Sequence, residues 1–126
     1  MNELTELYYT FVFCTRYRYA LIKNSEQSSI LRDYFNEAAG LKTLYLEDFS
    51  AREDHVIVKI KCMDSSLSPL QIAHHLRTVT SKEIRSDKRL NVMHLPSIWI
   101  RNIMVTTRDL SDKEIESFLS AQKRRS

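Results

Sequence analysis

The chain has 126 residues, a length that suits one domain, and 43% of them are hydrophobic, enough to build a small core. A formal net charge of +3 and a pI of about 8.9 make it mildly basic, which is compatible with a nucleic-acid partner without indicating one. Two cysteines, Cys14 and Cys62, are too few for a disulfide framework or a zinc site; residues 1–6 are polar and acidic, and no apolar run approaches the ~20 residues of a membrane span, so the expectation is a soluble, cytoplasmic protein with two buried free thiols and no membrane partner.

With one glycine and two prolines the chain has little room for long irregular loops. Leu7–Thr15 is aromatic and β-branched and reads as a strand, apolar enough on both faces to be central. Arg16-Tyr17-Arg18-Tyr19 follows, alternating cations and rings; this is either a solvated strand end or a strip where guanidinium groups meet phosphates and rings stack on unpaired bases. Asn24 opens a helix with Gln27 as its capping-box partner. Ile30, Leu31, Tyr34, Phe35 and Ala38 form its apolar face, and Gly40 stands where a C-terminal glycine belongs. Residues 41–49 read as a second strand, joined through a charged turn to a third that begins at His55.

Side chains alternate along a strand, so Val56, Val58, Ile60 and Cys62 form one face of the third strand and His55, Ile57, Lys59 and Lys61 the other. Ile57 is out of place on that second, otherwise polar face. Ser68-Pro69-Leu70-Gln71 is a helix start, and the helix runs through Ile72, Leu76, Val79 and Thr80 to about Ile84, with Arg77, Lys82 and Arg85 on its other face. His74 and His75 are adjacent and share no face, so they read as surface or boundary histidines rather than metal ligands. Residues 98–107 form a fourth strand, with Trp99, Arg101, Ile103 and Val105 on one face and Ile98, Ile100, Asn102 and Met104 on the other. Ser111 and Glu114 make a third capping box, followed by a helix with the stripe Ile115, Phe118, Leu119 and Gln122 and a basic end at residues 123–126.

The order β-α-β-β-α-β-α predicts an α+β fold: a ferredoxin-like split β-α-β sandwich over residues 1–110, with a four-stranded antiparallel sheet and helices on one face, plus a C-terminal helix over residues 111–126 of the same domain. First and third strands would be antiparallel neighbours, with Cys14 and Cys62 toward opposite ends and unable to pair.

Taken in order, Thr15-Arg16-Tyr17-Arg18, the Asp54-His55 strand, the Ser-Pro-capped basic helix, Trp99-x-Arg101-x-x-x-Val105 and a last helix ending in glutamine resemble the HUH single-tyrosine transposases of hairpin-ended insertion sequences and their REP-associated relatives. The resemblance implies a divalent metal, magnesium or manganese, held by two histidines at i and i+2 and a glutamine, with a helix tyrosine attacking DNA. His55 matches the first histidine and Gln122 the glutamine. Ile57 stands in the second histidine's place and Phe118 in the tyrosine's. The expectation is therefore a transposase-like protein that keeps the fold and the dimer but cannot cut, with vestigial metal positions at His55 and Gln122 and no cofactor unless the site is active. Arg16, Tyr17, Arg18, Lys59, Lys61, Arg77, Lys82 and Arg101 would contact hairpin or single-stranded DNA, with RNA hairpins left open. Two rivals stand beside this reading. One is an active enzyme with a displaced site, its ligands His55, Gln122 and one of the Asp or Glu residues, of which Asp54 is the nearest in sequence. The other is a protein–protein module that pairs with an intact transposase through the last strand and helix.

Overall fold

A computed structural model describes residues 6–90, 92 and 95–122; the basic end at 123–126 and most of the acidic start lie outside the described residues. The elements are β1 (Leu7–Thr15), a 3-10 turn (Arg16–Arg18), α1 (Ser25–Gly40), β2 (Leu44–Ala51), β3 (His55–Cys62), α2 (Pro69–Ser86), β4 (Trp99–Thr106) and α3 (Asp112–Ser120). The strands form one antiparallel sheet in the order β2-β3-β1-β4. Its most apolar strand, β1, lies inside the sheet, and Val12, Phe13 and Cys14 on it are fully buried.

Alternation along β1 assigns the two faces. Phe11 and Phe13 point to the core shared with α1 and α2, while Val12 and Cys14 point to the opposite face. The main core centres on Phe13, Phe35 and Trp99, whose ring centroids lie 5.3 to 5.9 Å apart. The indole N–H of Trp99 donates to the Thr80 hydroxyl at 3.0 Å, which in turn donates to the Leu76 carbonyl at 2.6 Å. Both buried polar groups are thus satisfied inside the core. The second face carries α3, whose Ile115 and Leu119 close over Val12 and Cys14. The final helix therefore packs on its own sheet, and the stripe that one rival reading offered to a partner is occupied.

Ser68 and Ser111 close both of their capping boxes as expected. Three local expectations change. The Gln27 side chain accepts from the Lys23 N–H rather than from Asn24, one residue earlier than a capping box requires. Gly40 ends α1 in helical conformation, and the left-handed residue of that turn is Thr43, so β2 begins at Leu44 instead of 41. The outer face of α2 is not a free basic surface: Arg77 donates to the Arg101 carbonyl and Arg85 to the Leu95 carbonyl, each at 2.9 Å.

Candidate nucleic-acid interface

β1 runs straight into a strained turn. Tyr17 and Arg18 adopt left-handed φ values of 58° and 54°, which cost non-glycine residues on the order of 1 kcal/mol each or more. Neighbours on both sides hold them there. Thr15 forms the clamp: its N–H donates to the Asp54 carbonyl at 2.9 Å, and its hydroxyl lies 2.7 Å from the Tyr19 carbonyl and 3.1 Å from the Asp54 carbonyl, its single proton shared between them. The Arg16 N–H donates to the Ile98 carbonyl at 2.8 Å. The turn is thus pinned between the mouth of β3 and the start of β4.

At the mouth of β3, the Asp54 carboxylate accepts from His55 Nδ1 at 2.9 Å and from Arg18 Nε at 2.9 Å. Burial alone would raise the Asp54 carboxyl, but these two hydrogen bonds outweigh it and hold it below the usual carboxylate range. The contact orients the His55 ring and leaves Nε2 as its remaining ligating atom. His55 is buried, and the depression around it is lined by Glu53, Asp54 and Asp112 against Arg18 and Arg52. Acids outnumber bases there, which makes it a poor seat for a phosphate.

Ile57, the next residue on that face of β3, packs against the cluster of Val12, Cys14, Ile115 and Leu119. Phe118 packs against the same cluster from α3. Gln122 lies beyond the end of α3, where its Nε2 donates to the Phe118 carbonyl at 2.6 Å and caps the last turn. His55 adjoins the first turn of α3 through Asp112, and Gln122 lies two residues past its end at Ser120, so the nine-residue helix, about 13 Å long, separates them. Among the described residues no three His, Cys, Asp or Glu side chains converge as a metal shell. One imidazole nitrogen and a distant, hydrogen-bonded amide do not fit a divalent metal. Asp54 spends its two oxygens on His55 Nδ1 and Arg18 Nε, so it orients the His55 ring beside a guanidinium.

The cations expected to meet nucleic acid divide into two groups. Arg18 is held by Asp54. Lys59 pairs with Asp109 at 3.6 Å, and Lys61 with Glu47 at 3.4 Å. Each lysine also lies over a tyrosine ring, Tyr8 at 5.9 Å and Tyr45 at 5.0 Å. Arg77 is tied to the backbone of β4, and exposed Lys82 lies about 140° around α2 from it.

Arg16, Tyr17 and Arg101 do come together. With Ile100, Asn102 and Gln122 they line a cleft of about 430 Å³, and no carboxylate among the described residues lines it. A register irregularity builds one wall. Phe13 pairs with Ile103 and Thr15 with Trp99, so two steps on β1 span four on β4, and Arg101 and Asn102 fall in the bulge, exposed. The Arg16 guanidinium carbon lies 5.1 Å from the Tyr17 ring centroid, and its Nε is buried with no hydrogen-bond partner among the described residues. Asn102 was not singled out by the sequence. Its place directly after Arg101 was visible, but the bulge that aims both at the cleft was not.

The IS200-like transposase family model matches residues 3–122. A chain assigned as a transposase from Deinococcus radiodurans R1 has a similar structure, with a TM-score of 0.83 at 17% identity over 99% of this chain and 97% of that one. A REP-associated tyrosine transposase bound to a REP hairpin is similar with a TM-score of 0.58 at 9% identity, over 93% of this chain and 66% of that one. A chain of the complex of A. aeolicus tRNASec with M. kandleri SerRS reaches 0.54 at 15% identity, over 86% of this chain and 22% of that one. At these identities the structural likeness shows the fold alone. No curated protein matches the chain in sequence.

Proposed function

The chain belongs to the IS200-like transposase family, and from that premise we propose that it binds structured or single-stranded DNA without cutting it. One observation carries the reading. The positions that resemblance gives to the second metal histidine and the nucleophilic tyrosine hold Ile57 and Phe118, and both pack against the apolar cluster that docks α3 on the sheet. Phenylalanine has no oxygen to attack a phosphodiester, and isoleucine ligates nothing. The remaining positions do not compensate, because Gln122 caps its own helix while His55 is oriented by Asp54 at the other end of α3.

Binding needs none of those groups. Phosphate contacts from Arg16 and Arg101 would fix the position of a nucleic-acid strand without reading its sequence, and Tyr17 supplies a ring beside them. The likeness to a hairpin-bound relative favours a DNA hairpin as the ligand, and a homodimer is what the resemblance to the single-tyrosine transposases implies. The protein-module rival would have to use the last strand alone, because Ile115 and Leu119 of the α3 stripe are buried on the sheet.

The test is a titration of labelled DNA, hairpin against unstructured strand, across several salt concentrations, followed by incubation with Mg²⁺ and Mn²⁺. Salt-sensitive preference for the hairpin with no covalent protein–DNA adduct is the expected result. Hairpin binding no stronger than that of an unrelated, equally basic protein would overturn the binding half of the proposal. A metal-dependent adduct would overturn the other half.

A further inference from the structure

A second cleft lies at the other end of the sheet from His55 and Arg16. The register fixes the two ends: β3 starts at His55 beside Cys14 and finishes at Cys62 beside Leu7 and Leu44. At the Cys62 end, where α1 stops and α2 starts, Leu44, Leu67, Ile72 and Val79 floor a cleft of about 340 Å³, with exposed Lys42 and half-buried His75 beside them. That size is near the lower limit for clefts that hold small ligands, so it suits one anchoring side chain. We infer that this end of the molecule docks an acidic segment of a partner protein, which places a large apolar side chain in the cleft and a carboxylate against Lys42 and the first turn of α2.

Three observations choose that occupant. First, Leu70 and Leu41 are 80% and 70% exposed, the two most exposed large hydrophobic side chains among the described residues. Each adjoins a residue of the cleft in sequence, Leu41 before Lys42 and Leu70 before Gln71. A ligand confined to the cleft would leave both leucines in water, whereas a protein segment crossing it covers them around a central anchor. Second, the charge calls for an acid. Lys42 lines the cleft and no carboxylate does among the described residues. Asp64, in the turn that leads to α2, already accepts from the Ser66 N–H and hydroxyl at 2.9 and 2.6 Å. The first turns of α1 and α3 carry Glu26 and Asp112 with Glu114, but that of the 18-residue α2 carries no acid, so its positive end is open to a carboxylate from outside. A nucleic-acid strand would gain a single lysine here and press its phosphates on two leucines. Third, the cleft is built in advance. His75 Nε2 donates to the Ala38 carbonyl at 2.6 Å and fastens α2 to the last turn of α1, which lowers the ordering cost of docking.

The inference is independent of the nucleic-acid reading, and its variants lie outside the residues assigned to DNA. Full-length protein is panned with phage-displayed random peptides, and the enriched sequences are remade as labelled synthetic peptides. Enriched peptides are expected to carry Asp or Glu close to Leu, Ile or Phe. Lys42→Glu and Leu70→Ser are each expected to weaken their binding by about tenfold or more, the loss of an interface anchor. Lys23→Glu makes the same charge change before the start of α1, at the other end of that helix, and is expected to leave binding unchanged. All three side chains are exposed, so the fold is expected to survive each substitution, as a thermal melt of each variant would show. No enrichment, enriched peptides without the acidic and apolar pairing, or binding that survives both cleft variants overturns the inference. An equal loss in Lys23→Glu would reduce the effect to net charge and also overturn it. Dimerisation abolished by Leu70→Ser would make a second copy the occupant, and hairpin binding lost in Lys42→Glu but kept in Lys23→Glu would make it nucleic acid; either overturns the assignment to a partner protein.

Discussion

Replacing Leu119 by alanine tests whether α3 is a separate layer over a formed sheet. At nine residues α3 is too short to hold by itself in water, so it depends on Ile115 and Leu119, which are buried against Val12 and Cys14. Removing a buried leucine side chain costs about 2–5 kcal/mol. If only the docking of α3 carries that loss, its open population rises by a factor of about 30 or more, since about 1.4 kcal/mol is tenfold. Cys14 is the reporter. It is fully buried under α3, and burial pushes its thiol up to about 11. A free cysteine titrates near 8.5, so at pH 8 opening raises the reactive thiolate fraction by roughly two hundredfold. Labelling with an aromatic disulfide reagent therefore follows opening. Cys62 is buried on the other face of the sheet, in the core under α1 and α2, and supplies an internal reference. Leu119→Ala is expected to accelerate Cys14 labelling about 30-fold or more and to leave Cys62 nearly unchanged, read by mass spectrometry of the labelled peptides. Parallel acceleration of both cysteines would mean that α3 opens only with the whole fold, and an unchanged Cys14 rate would mean that α3 does not guard it. Either result refutes the reasoning.

Asp87 links α1 to the end of α2, accepting from Tyr34 and from Arg89. The Arg89 hydrogen bonds hold its carboxyl well below the ordinary range, so its contribution to stability is present above the unfolded value near 4 and is lost as pH falls through the folded value. Asp87→Asn is expected to cost about 1–3 kcal/mol near neutral pH and to flatten the acid limb of a Tm–pH profile; an unchanged limb would refute the assignment. Gly40→Ala is expected to raise stability by about 0.5 kcal/mol, because Gly40 is helical and an added Cβ meets nothing within 4 Å; a lower urea midpoint would refute that. Restoring both replaced positions, Ile57→His with Phe118→Tyr, is expected to destabilise the α3 layer and yield no metal-dependent DNA adduct, since Gln122 remains at the far end of the helix.

The fold was legible because local signals agreed with one another. Alternation on β3 separated Val56, Val58, Ile60 and Cys62 from Lys59 and Lys61, and Ser68 and Ser111 marked two helix starts that the structure keeps. The start of β2 was misplaced because Leu41 continues the apolar pattern, while the turn that actually separates helix from strand uses a left-handed Thr43 that no propensity favours. The site was harder to read. Composition names cations but not their partners, and Arg18, Lys59, Lys61, Arg77 and Arg85 meet carboxylates or carbonyls set by tertiary packing. Ile57 looked anomalous on a polar face for a sound reason. It is the foot of an apolar cluster whose other half, α3, lies more than fifty positions away in sequence.

That division of the cations also bounds how the protein should respond to salt. Each phosphate neutralised contributes a slope of about −0.7 to −0.9 in log affinity against log salt concentration. The seven cations of the expected contact set would together give a slope of about −5 to −6. With Arg18, Lys59 and Lys61 already facing carboxylates and Arg77 tied to a carbonyl, the cleft supplies Arg16 and Arg101, and a slope near −2 follows. Exposed pairs such as Lys59 with Asp109 are each worth less than about 1 kcal/mol, so a phosphate that reaches them can break them. A measured slope near −6 would therefore mean that the paired cations exchange their carboxylates and carbonyl for phosphates, whereas a slope near −2 that falls by about one in Arg101→Ala would locate binding at the end of α3.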